Sequence, residues 1–249
     1  MIELKTDAEL ECMRRAGRVV AELLKHLADL VQPGMKTKEL DHASLAYLRR
    51  AGAKPAFLGY RGFPASICVS LNEEVVHGIP GERTMRDGDL LSLDAGAIVE
   101  GFYADAAVTM AIGTVSPAAR RLAETTRRAL EAGIAKVVIG NRLSDISSAV
   151  QHAVEREGFG VVRDFVGHGI GRALHEDPPI PNFGPPDLGP RLKAGMVLAI
   201  EPMVTMGSHE VQVLADGWTA VTKDGSLAAH FEHTVAVTDR GPDVLTQWN

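Results

Sequence analysis

Two aspartates flank a short turn in the first half of the chain. Asp94 lies in the run LLSLDAGAIV and Asp105 in FYADAAVTMAI. Glu100-Gly101 between the runs suits a two-residue hairpin, which would place Asp94 opposite Ala107 and make Asp105 its diagonal neighbour on the same face. A single Asp in a strand is usually a solvated residue. Two carboxylates among small apolar residues are disfavoured without a proton or a cation, so the pair indicates a metal site.

Three further candidate groups lie in the second half. His168 stands between Gly167 and Gly169, where missing side chains would let a ligand or metal approach the backbone. Glu201 ends the apolar run MVLAIEPMVT, and Glu232 opens FEHTVAVT. Each alone could be an ordinary structural histidine or a glutamate at a strand end. The string GHGIG also looks like a phosphate loop, but the other parts of a dinucleotide site are not arranged around it.

Taken together, these groups predict a dinuclear metal site. Four carboxylates and one imidazole would bring a formal charge of about -4 into one cavity, and two divalent cations would neutralise it. Oxygen-rich ligation with one nitrogen and no thiolate suits Mn(II), Fe(II) or Co(II) better than a structural zinc site. The predicted ligands are Asp94, Asp105, His168, Glu201 and Glu232.

Elements that could position these groups follow from the spacing of apolar residues. Four segments have helical spacing, and each begins with a residue that can cap a helix, namely Thr6, Thr37, Ser116 and Ser144. The first should end before Pro33-Gly34 and the last near Gly158. Runs of Val, Ile, Ala and Thr predict strands at 66–71, 90–99, 102–112, 196–204 and 231–238.

The order of these elements predicts an α+β fold with two similar halves, each with helices followed by strands, although no residue-level repeat is visible. Pro and Gly cluster at 178–190, and we expect an ordered loop there because it lies between two candidate motifs. With 249 residues, 45% hydrophobic content and no evident boundary, residues 1–249 are expected to form one domain.

Composition excludes several classes of protein. The formal net charge of -6 argues against binding nucleic acid through phosphate contacts. No apolar run approaches the roughly 18 residues that span a bilayer, and the acidic N-terminal segment does not resemble a signal peptide. Cys12 and Cys68 are too few for a disulfide scaffold. A cytoplasmic protein is therefore expected.

Six segments resemble the type I methionine aminopeptidases of the short bacterial form, in the family's order and with compatible spacings. They are LKTDAELECMRRAGRV, GYRGFPASICVSLNEEVVHGIPG, SLDAGAIVEGFYAD, GHGIGRALHEDPPIPNF, GMVLAIEPM and HFEHTVAVT. The resemblance covers nearly the whole chain. It implies the pita-bread (creatinase/aminopeptidase) fold, with two pseudo-symmetric halves around a central antiparallel sheet. It also implies removal of the initiator methionine from nascent proteins whose second residue is small and uncharged.

The same resemblance assigns roles to the candidate residues. Asp94 would chelate one metal ion, His168 and Glu201 would hold the other, and Asp105 and Glu232 would bridge both. As a metal-activated water attacks the scissile carbonyl, Glu201 would move the proton, His77 would lie near the scissile amide and His175 would contact the carbonyl oxygen. The substrate pocket would comprise Phe57, Tyr60, Phe63, Cys68, His77, Leu174, His175 and Trp218.

Two departures from the family pattern concern the pocket. Tyr103-Ala104 precede Asp105 where His-Gly is usual, and Leu174 stands where an aromatic residue is common. All five metal ligands remain, so metal binding and reaction class should be unaffected. Pocket shape and relative substrate preference are the properties open to change.

Two other functions compete with this one. A prolidase or Xaa-Pro aminopeptidase shares the fold and ligand set but normally has a further N-terminal domain, whereas the family motifs here start almost at Met1. A non-catalytic binding protein on this fold should have lost ligands, and none is lost. As an aminopeptidase the chain is expected to be a monomer that acts on N-terminal methionine near the ribosome exit, with no direct nucleic-acid or membrane binding.

Overall fold

The computed structural model describes residues 1–247, whose helices and strands occur in two blocks that each begin with a helix pair. The helices are α1 (Asp7–Leu30), α2 (Thr37–Arg50), α3 (Pro117–Ile134) and α4 (Leu143–Glu155). The strands are β1 (Lys54–Pro55), β2 (Ile67–Leu71), β3 (Glu74–Val76), β4 (Leu90–Val99), β5 (Phe102–Ala111), β6 (Gly160–Val161), β7 (Gly167–Gly169), β8 (Glu176–Ile180), β9 (Val197–Ile200), β10 (Met203–Thr205), β11 (Val211–Val213), β12 (Ala220–Thr222), β13 (Ala228–His230), β14 (Glu232–Thr238) and β15 (Gly241–Val244).

Two of the four predicted helix caps are confirmed. Thr6 caps α1, and a capping box joins it to Glu9: the Thr6 Oγ1 accepts from the Glu9 N–H, and the Glu9 carboxylate accepts from the Thr6 N–H. Ser116 caps α3 by accepting from the N–H of Ala119, and Pro117 occupies the first helical position, where no N–H is needed.

The other two predicted caps are wrong by one or two residues. α2 is capped at Lys36 and α4 at Arg142, neither of which uses its side chain as a cap. The side chains of Thr37 and Ser144 instead bind neighbouring loops: Thr37 Oγ1 accepts from the Gly81 N–H, and Ser144 Oγ accepts from the Leu188 N–H. A hydroxyl near a helix start can serve either purpose, and the sequence alone does not distinguish them.

Within residues 1–247, the largest of three sheets has nine strands that all pair antiparallel, and its main path runs in the order β1-β4-β5-β14-β9-β7-β8. α1 packs across β4 and β5, and α3 contacts β5, β14 and β9. Successive residues of β4 therefore face either the helix layer or the opposite side of the sheet. Leu91, Leu93, Ala95 and Ala97 join the main hydrophobic core with the apolar face of α1, whereas Asp94 lies on the opposite face. The predicted α+β class is confirmed.

The hairpin of β4 and β5 has the predicted register. Asp94 pairs with Ala107 and Gly96 with Asp105, so the two aspartates are diagonal neighbours. Glu100 and Gly101 form the turn with φ of 52° and 82°, the positive values that a tight hairpin of this kind requires at both positions. The first block therefore presents two carboxylates on one face of the sheet.

The remaining strand predictions need two corrections. The predicted strand 196–204 is two strands, β9 and β10, because Glu201-Pro202 interrupts it and proline lacks the N–H for sheet pairing. The predicted loop 178–190 begins as strand, since residues 178–180 belong to β8 and β8 pairs with β7. Within residues 1–247, no helix is both long enough and apolar enough to cross a membrane.

Candidate active site

Five neighbouring strands of the large sheet bring one predicted ligand each to the same place. The strand order β4-β5-β14-β9-β7 corresponds to the residue order Asp94, Asp105, Glu232, Glu201 and His168, with Glu201 directly after the last residue of β9. Glu232 pairs with Ala107, and His168 pairs with Ala199. Period-two alternation then directs these side chains to the face that α1 does not cover.

His168 is oriented as a metal ligand would be. Its Nδ1 lies 2.9 Å from the carbonyl oxygen of Gly169, and because a carbonyl only accepts, Nδ1 carries the proton and Nε2 is left with a lone pair. That Nε2 is 3.6 Å from Asp105 Oδ2 and 3.7 Å from Glu201 Oε1. A lone pair facing two carboxylates is repulsive unless a cation or a proton lies between them.

The carboxylates themselves favour the same conclusion. Burial raises the pKa of Asp94 and Asp105 to about 8 and that of Glu201 to about 7, and it raises the pKa of Glu232 as well. Asp94 Oδ1 is buried without a hydrogen-bond partner. Ligand atoms of Asp105, His168 and Glu232 lie within 4.8 Å of one another. This set of donors fits divalent cations, which would satisfy the unpaired oxygen and neutralise the charge.

The glycines beside His168 serve a different purpose from the one predicted. A Cβ on Gly167 would lie 2.3 Å from the carbonyl oxygen of Ala199, and one on Gly169 would lie 2.1 Å from that of Asp177. The missing side chains therefore admit the backbones of β9 and of the β8 segment, and not a ligand. The close packing of these strands holds His168 among the carboxylates.

A cavity of about 150 Å³ joins the charged residues to an apolar slot. All thirteen residues predicted for the site line it, namely Phe57, Tyr60, Phe63, Cys68, His77, Asp94, Asp105, His168, Leu174, His175, Glu201, Trp218 and Glu232. The rings of Phe63 and Trp218 meet edge to face at 5.1 Å, and the ring of His77 lies 6.3 Å from that of Trp218. Tyr103 and Ala104 are not among the lining residues.

His77 is held in an uncommon backbone conformation. Its φ of 60° is left-handed, which costs a residue with a side chain about 1 kcal/mol or more. Hydrogen bonds to both backbone groups of the next residue hold it there: the Gly78 N–H donates to Ser70 Oγ at 3.1 Å, and the Gly78 carbonyl accepts from the Val69 N–H at 2.9 Å. Burial lowers the pKa of His77 to about 4, so its imidazole is neutral at pH 7.

His175 lies at the mouth of the cavity and is bound to Tyr60. Its Nδ1 is 2.9 Å from the Tyr60 hydroxyl, and the two rings stack at 5.3 Å. Burial by surrounding atoms and the proximity of His168 lower the pKa of His175 to about 3, although its ring remains accessible from the mouth. Tyr60 was predicted only as a wall of the pocket, and this hydrogen bond is an additional contact.

Two residues near the site were not predicted. Arg61 lines the cavity rim, and its guanidinium lies 5.4 Å from the centre of the Tyr60 ring. His230 is buried beside the candidate metal ligands, with Nε2 at 3.6 Å from Glu201 Oε2. The sequence contained one indication for His230, because residues two apart on a strand share a face and His230 stands two residues before Glu232. For Arg61 the only indication was its place beside Tyr60.

Comparison with known proteins relates this geometry to a family. A model of metallopeptidase family M24 matches residues 11–239. Methionine aminopeptidase 1 of Bacillus subtilis is 53% identical over 247 residues, which cover 99% of this chain and 100% of that protein. The crystal structure of methionine aminopeptidase from Thermotoga maritima is 47% identical with a TM-score of 0.98, and the match covers 99% of this chain and 100% of that one.

A more distant neighbour supports the assignment of the fold. Prolidase from Pyrococcus furiosus has a TM-score of 0.82 at 21% identity, and the match covers 99% of this chain and 66% of the prolidase. The prediction of the pita-bread fold is confirmed by these neighbours together. On the evidence of sequence, fold and site, the chain belongs to metallopeptidase family M24.

Proposed function

We propose that the chain hydrolyses the peptide bond that follows an N-terminal methionine, consuming one water and releasing methionine and the shortened polypeptide. The observation that carries this proposal is one cavity in which an apolar slot adjoins four carboxylates and three imidazoles. Support comes also from the methionine aminopeptidases named above, which match this chain along almost their full length. The enzyme would thus be a metallo-exopeptidase.

M24 metallopeptidases use divalent metal ions, and this chain has suitable donors. Two ions would be held here: one by Asp94, the other by His168 and Glu201, and both by Asp105 and Glu232. Mn(II), Fe(II) or Co(II) would match this oxygen-rich set best. When bound, such ions lower the pKa of a water molecule and polarise the scissile carbonyl.

Protein side chains would provide the proton transfers. Glu201 would take a proton from water and pass it to the leaving amine. His175 would donate a hydrogen bond to the carbonyl oxygen as that oxygen gains negative charge. His77, which lies between Trp218 and Phe165 at the cavity wall, would contact the scissile amide.

The apolar slot would select methionine. A thioether packs favourably against aromatic edges, and its flexible chain fills an irregular cavity. The slot residues are Phe57, Tyr60, Phe63, Cys68, Leu174 and Trp218, with His77 and His175 at its charged end. Because the free α-amine of the substrate would be bound at the acidic end of the cavity, only an N-terminal residue could be cleaved.

Metal reconstitution provides the test. Metal-stripped protein is loaded anaerobically with Mn(II), Fe(II), Co(II) or Zn(II) and assayed for methionine release from Met-Ala-Ser, with Ala-Pro as a prolidase control. We expect release from Met-Ala-Ser only after metal addition, and none from Ala-Pro. Glu201→Gln should abolish turnover, whereas Glu210→Gln, at an exposed loop position, should not. Turnover of Ala-Pro alone, or none with any metal, would refute the proposal.

The residue after methionine should be small and uncharged. With the α-amine and the methionine side chain fixed, the second side chain would lie near the metal ligands and His77, where a long chain collides. A clash of about 3 kcal/mol lowers the rate roughly 100-fold. Met-Ala-Ser should therefore have a kcat/KM at least about 100-fold above that of Met-Arg-Ser, and equal values would contradict this preference.

The cellular setting is part of the same proposal. Residues 1–249 would act as one catalytic domain and as a monomer in the cytoplasm, on chains that emerge from the ribosome. Analytical ultracentrifugation of the metal-loaded protein should give the mass of one chain, and a stable dimer would contradict the proposed monomer.

A further inference from the structure

His230 has a buried polar atom that no other group in the described residues satisfies. Only 2% of the residue is exposed, and Nε2 lacks a hydrogen-bond partner. The nearest acidic atom is Glu201 Oε2 at 3.6 Å, slightly too long for a hydrogen bond. Leaving such a group unpaired costs about 1–3 kcal/mol, so its presence beside the metal ligands needs an explanation.

The backbone determines which way His230 faces. β10 and β13 pair Met203 with His230, and β9 and β14 pair Ile200 with His233. The paired residue numbers have the same sum in both pairings, so the register does not change between them. The strand pairs β9–β14 and β10–β13 therefore form one continuous two-stranded ribbon that passes through the site. On this ribbon His230 lies diagonally across from Glu201, which is the relation expected of side chains that share a face.

Thr109 of β5 anchors the backbone of His230. The His230 N–H donates to Thr109 Oγ1, and the Thr109 hydroxyl donates to the His230 carbonyl, both at 2.8 Å. Beyond the imidazole lie the carboxylates of Asp94, Asp105 and Glu201, which accept hydrogen bonds when ionised. These acceptors favour a proton on Nε2. The imidazolium also has a proton there, so either protonation state can donate.

We propose that His230 is a positioning residue that donates a hydrogen bond from Nε2 to Glu201 Oε2 once the metal centre is formed. Glu201 would then be held on both sides, with Oε2 toward His230 and Oε1 toward the metal that His168 shares. This inference rests on the proposed metal centre. Groups that orient metal ligands in this way typically contribute 10–100-fold to metal affinity or activity.

Calorimetric titration of metal-free protein with Mn(II) tests the proposal. His230→Leu removes the donor, His230→Gln keeps an N–H donor, and His233→Leu is the matched control, because His233 is a nearby imidazole that bonds Thr246 instead. We expect Mn(II) affinity to fall about 10–100-fold in His230→Leu and to stay within about threefold of wild type in the other two. Wild-type affinity in His230→Leu would overturn the proposal, as would equal losses in His230→Leu and His230→Gln.

A second measurement needs no variant. In the zinc-loaded wild-type protein, ¹⁵N NMR of the His230 ring should show Nε2 bearing a proton. A zinc-bound or unprotonated Nε2 would overturn the proposal by making His230 a ligand or an acceptor. If the wild-type protein itself neither binds Mn(II) nor releases methionine, the proposed function has failed. Wild-type function with an unchanged His230→Leu refutes only the role of His230.

Discussion

His175 is uncharged at neutral pH, and this restricts how it can act on a substrate. With its pKa lowered to about 3, the ring has one N–H, on either Nδ1 or Nε2. The Tyr60 hydroxyl lies 2.9 Å from Nδ1 and can donate to it, which would leave the proton on Nε2. An Nε2–H is the donor that a developing oxyanion requires. Tyr60 would therefore orient His175 as well as line the pocket.

Tyr60→Phe should lower kcat by roughly tenfold, equivalent to about 1.4 kcal/mol, with little change in KM for Met-Ala-Ser. The ring that would contact methionine is retained, and only the hydroxyl is lost. Steady-state kinetics would measure the change, and Tyr47→Phe is the control because its hydroxyl bonds Glu22 away from the site. In a His175→Ala background the same substitution should not lower kcat further. A full additional tenfold loss of kcat there would show that the Tyr60 hydroxyl acts independently of His175.

Among the helices and strands, the features predicted correctly are those that depend on residues close together in the sequence. The register of β4 and β5 followed from a two-residue turn and the alternation of side chains, and it places Asp94 and Asp105 together as predicted. The helix caps at Thr37 and Ser144 were wrong because the partners of those hydroxyls, Gly81 and Leu188, are more than forty residues away. The spacing of residue types along the sequence does not indicate hydrogen bonds between such distant positions.

The position of His230 could not be predicted for the same reason. Its relation to Glu201 depends on the ribbon formed by β9, β10, β13 and β14, whose strands are short and whose pairing is not local. The five candidate metal ligands followed from residue types and their places on strands, and the resemblance to a family supplied the remaining pocket residues from scattered segments of the chain. It contained nothing on Arg61 or His230, since neither belongs to the motif roles carried over.

The close packing of strands around His168 can be tested by a glycine-to-alanine substitution, which adds one methyl group. Gly167→Ala would place a Cβ 2.3 Å from the Ala199 carbonyl oxygen, so β7 must move away from β9. We expect a loss of about 2 kcal/mol or more in unfolding free energy and weaker Mn(II) binding, because His168 moves with the strand. Gly81→Ala is the control, since its added Cβ would meet only an ordinary contact at 3.8 Å. Unchanged stability and metal binding in Gly167→Ala would contradict this account of the glycine.

For the molecule as a whole, four carboxyl groups lie together in the interior of a chain whose net charge is -6. Folding without metal raises the pKa values of these groups above the value of about 4 in the unfolded chain. The folded state consequently binds more protons than the unfolded state at neutral pH. Metal binding and proton binding then compete for the same oxygens.

The metal-free protein should lose stability as pH rises from 7 to 8.5. In this window Asp94 and Asp105, with pKa values of about 8, give up protons in the folded state that they have already lost in the unfolded state. His77 and His175, whose pKa values are lowered to about 4 and about 3, oppose this trend only near pH 7, where their unfolded forms with pKa of about 6.5 still bind some protons. Urea unfolding in a chelator measures the trend, and saturating Zn(II) should remove it. Stability that is constant or rises in the chelator would contradict the raised carboxylate pKa values.

The most direct test of the proposed two-metal centre is anomalous diffraction from crystals of the Mn(II)-loaded protein. We expect two anomalous peaks inside the cavity, each in contact with Asp105 and Glu232, one of them also with Asp94 and the other with His168 and Glu201. Crystals of Asp105→Ala grown under the same conditions should lose at least one peak. No peak in the cavity of the wild-type protein, or peaks only on residues outside these five, would contradict the account.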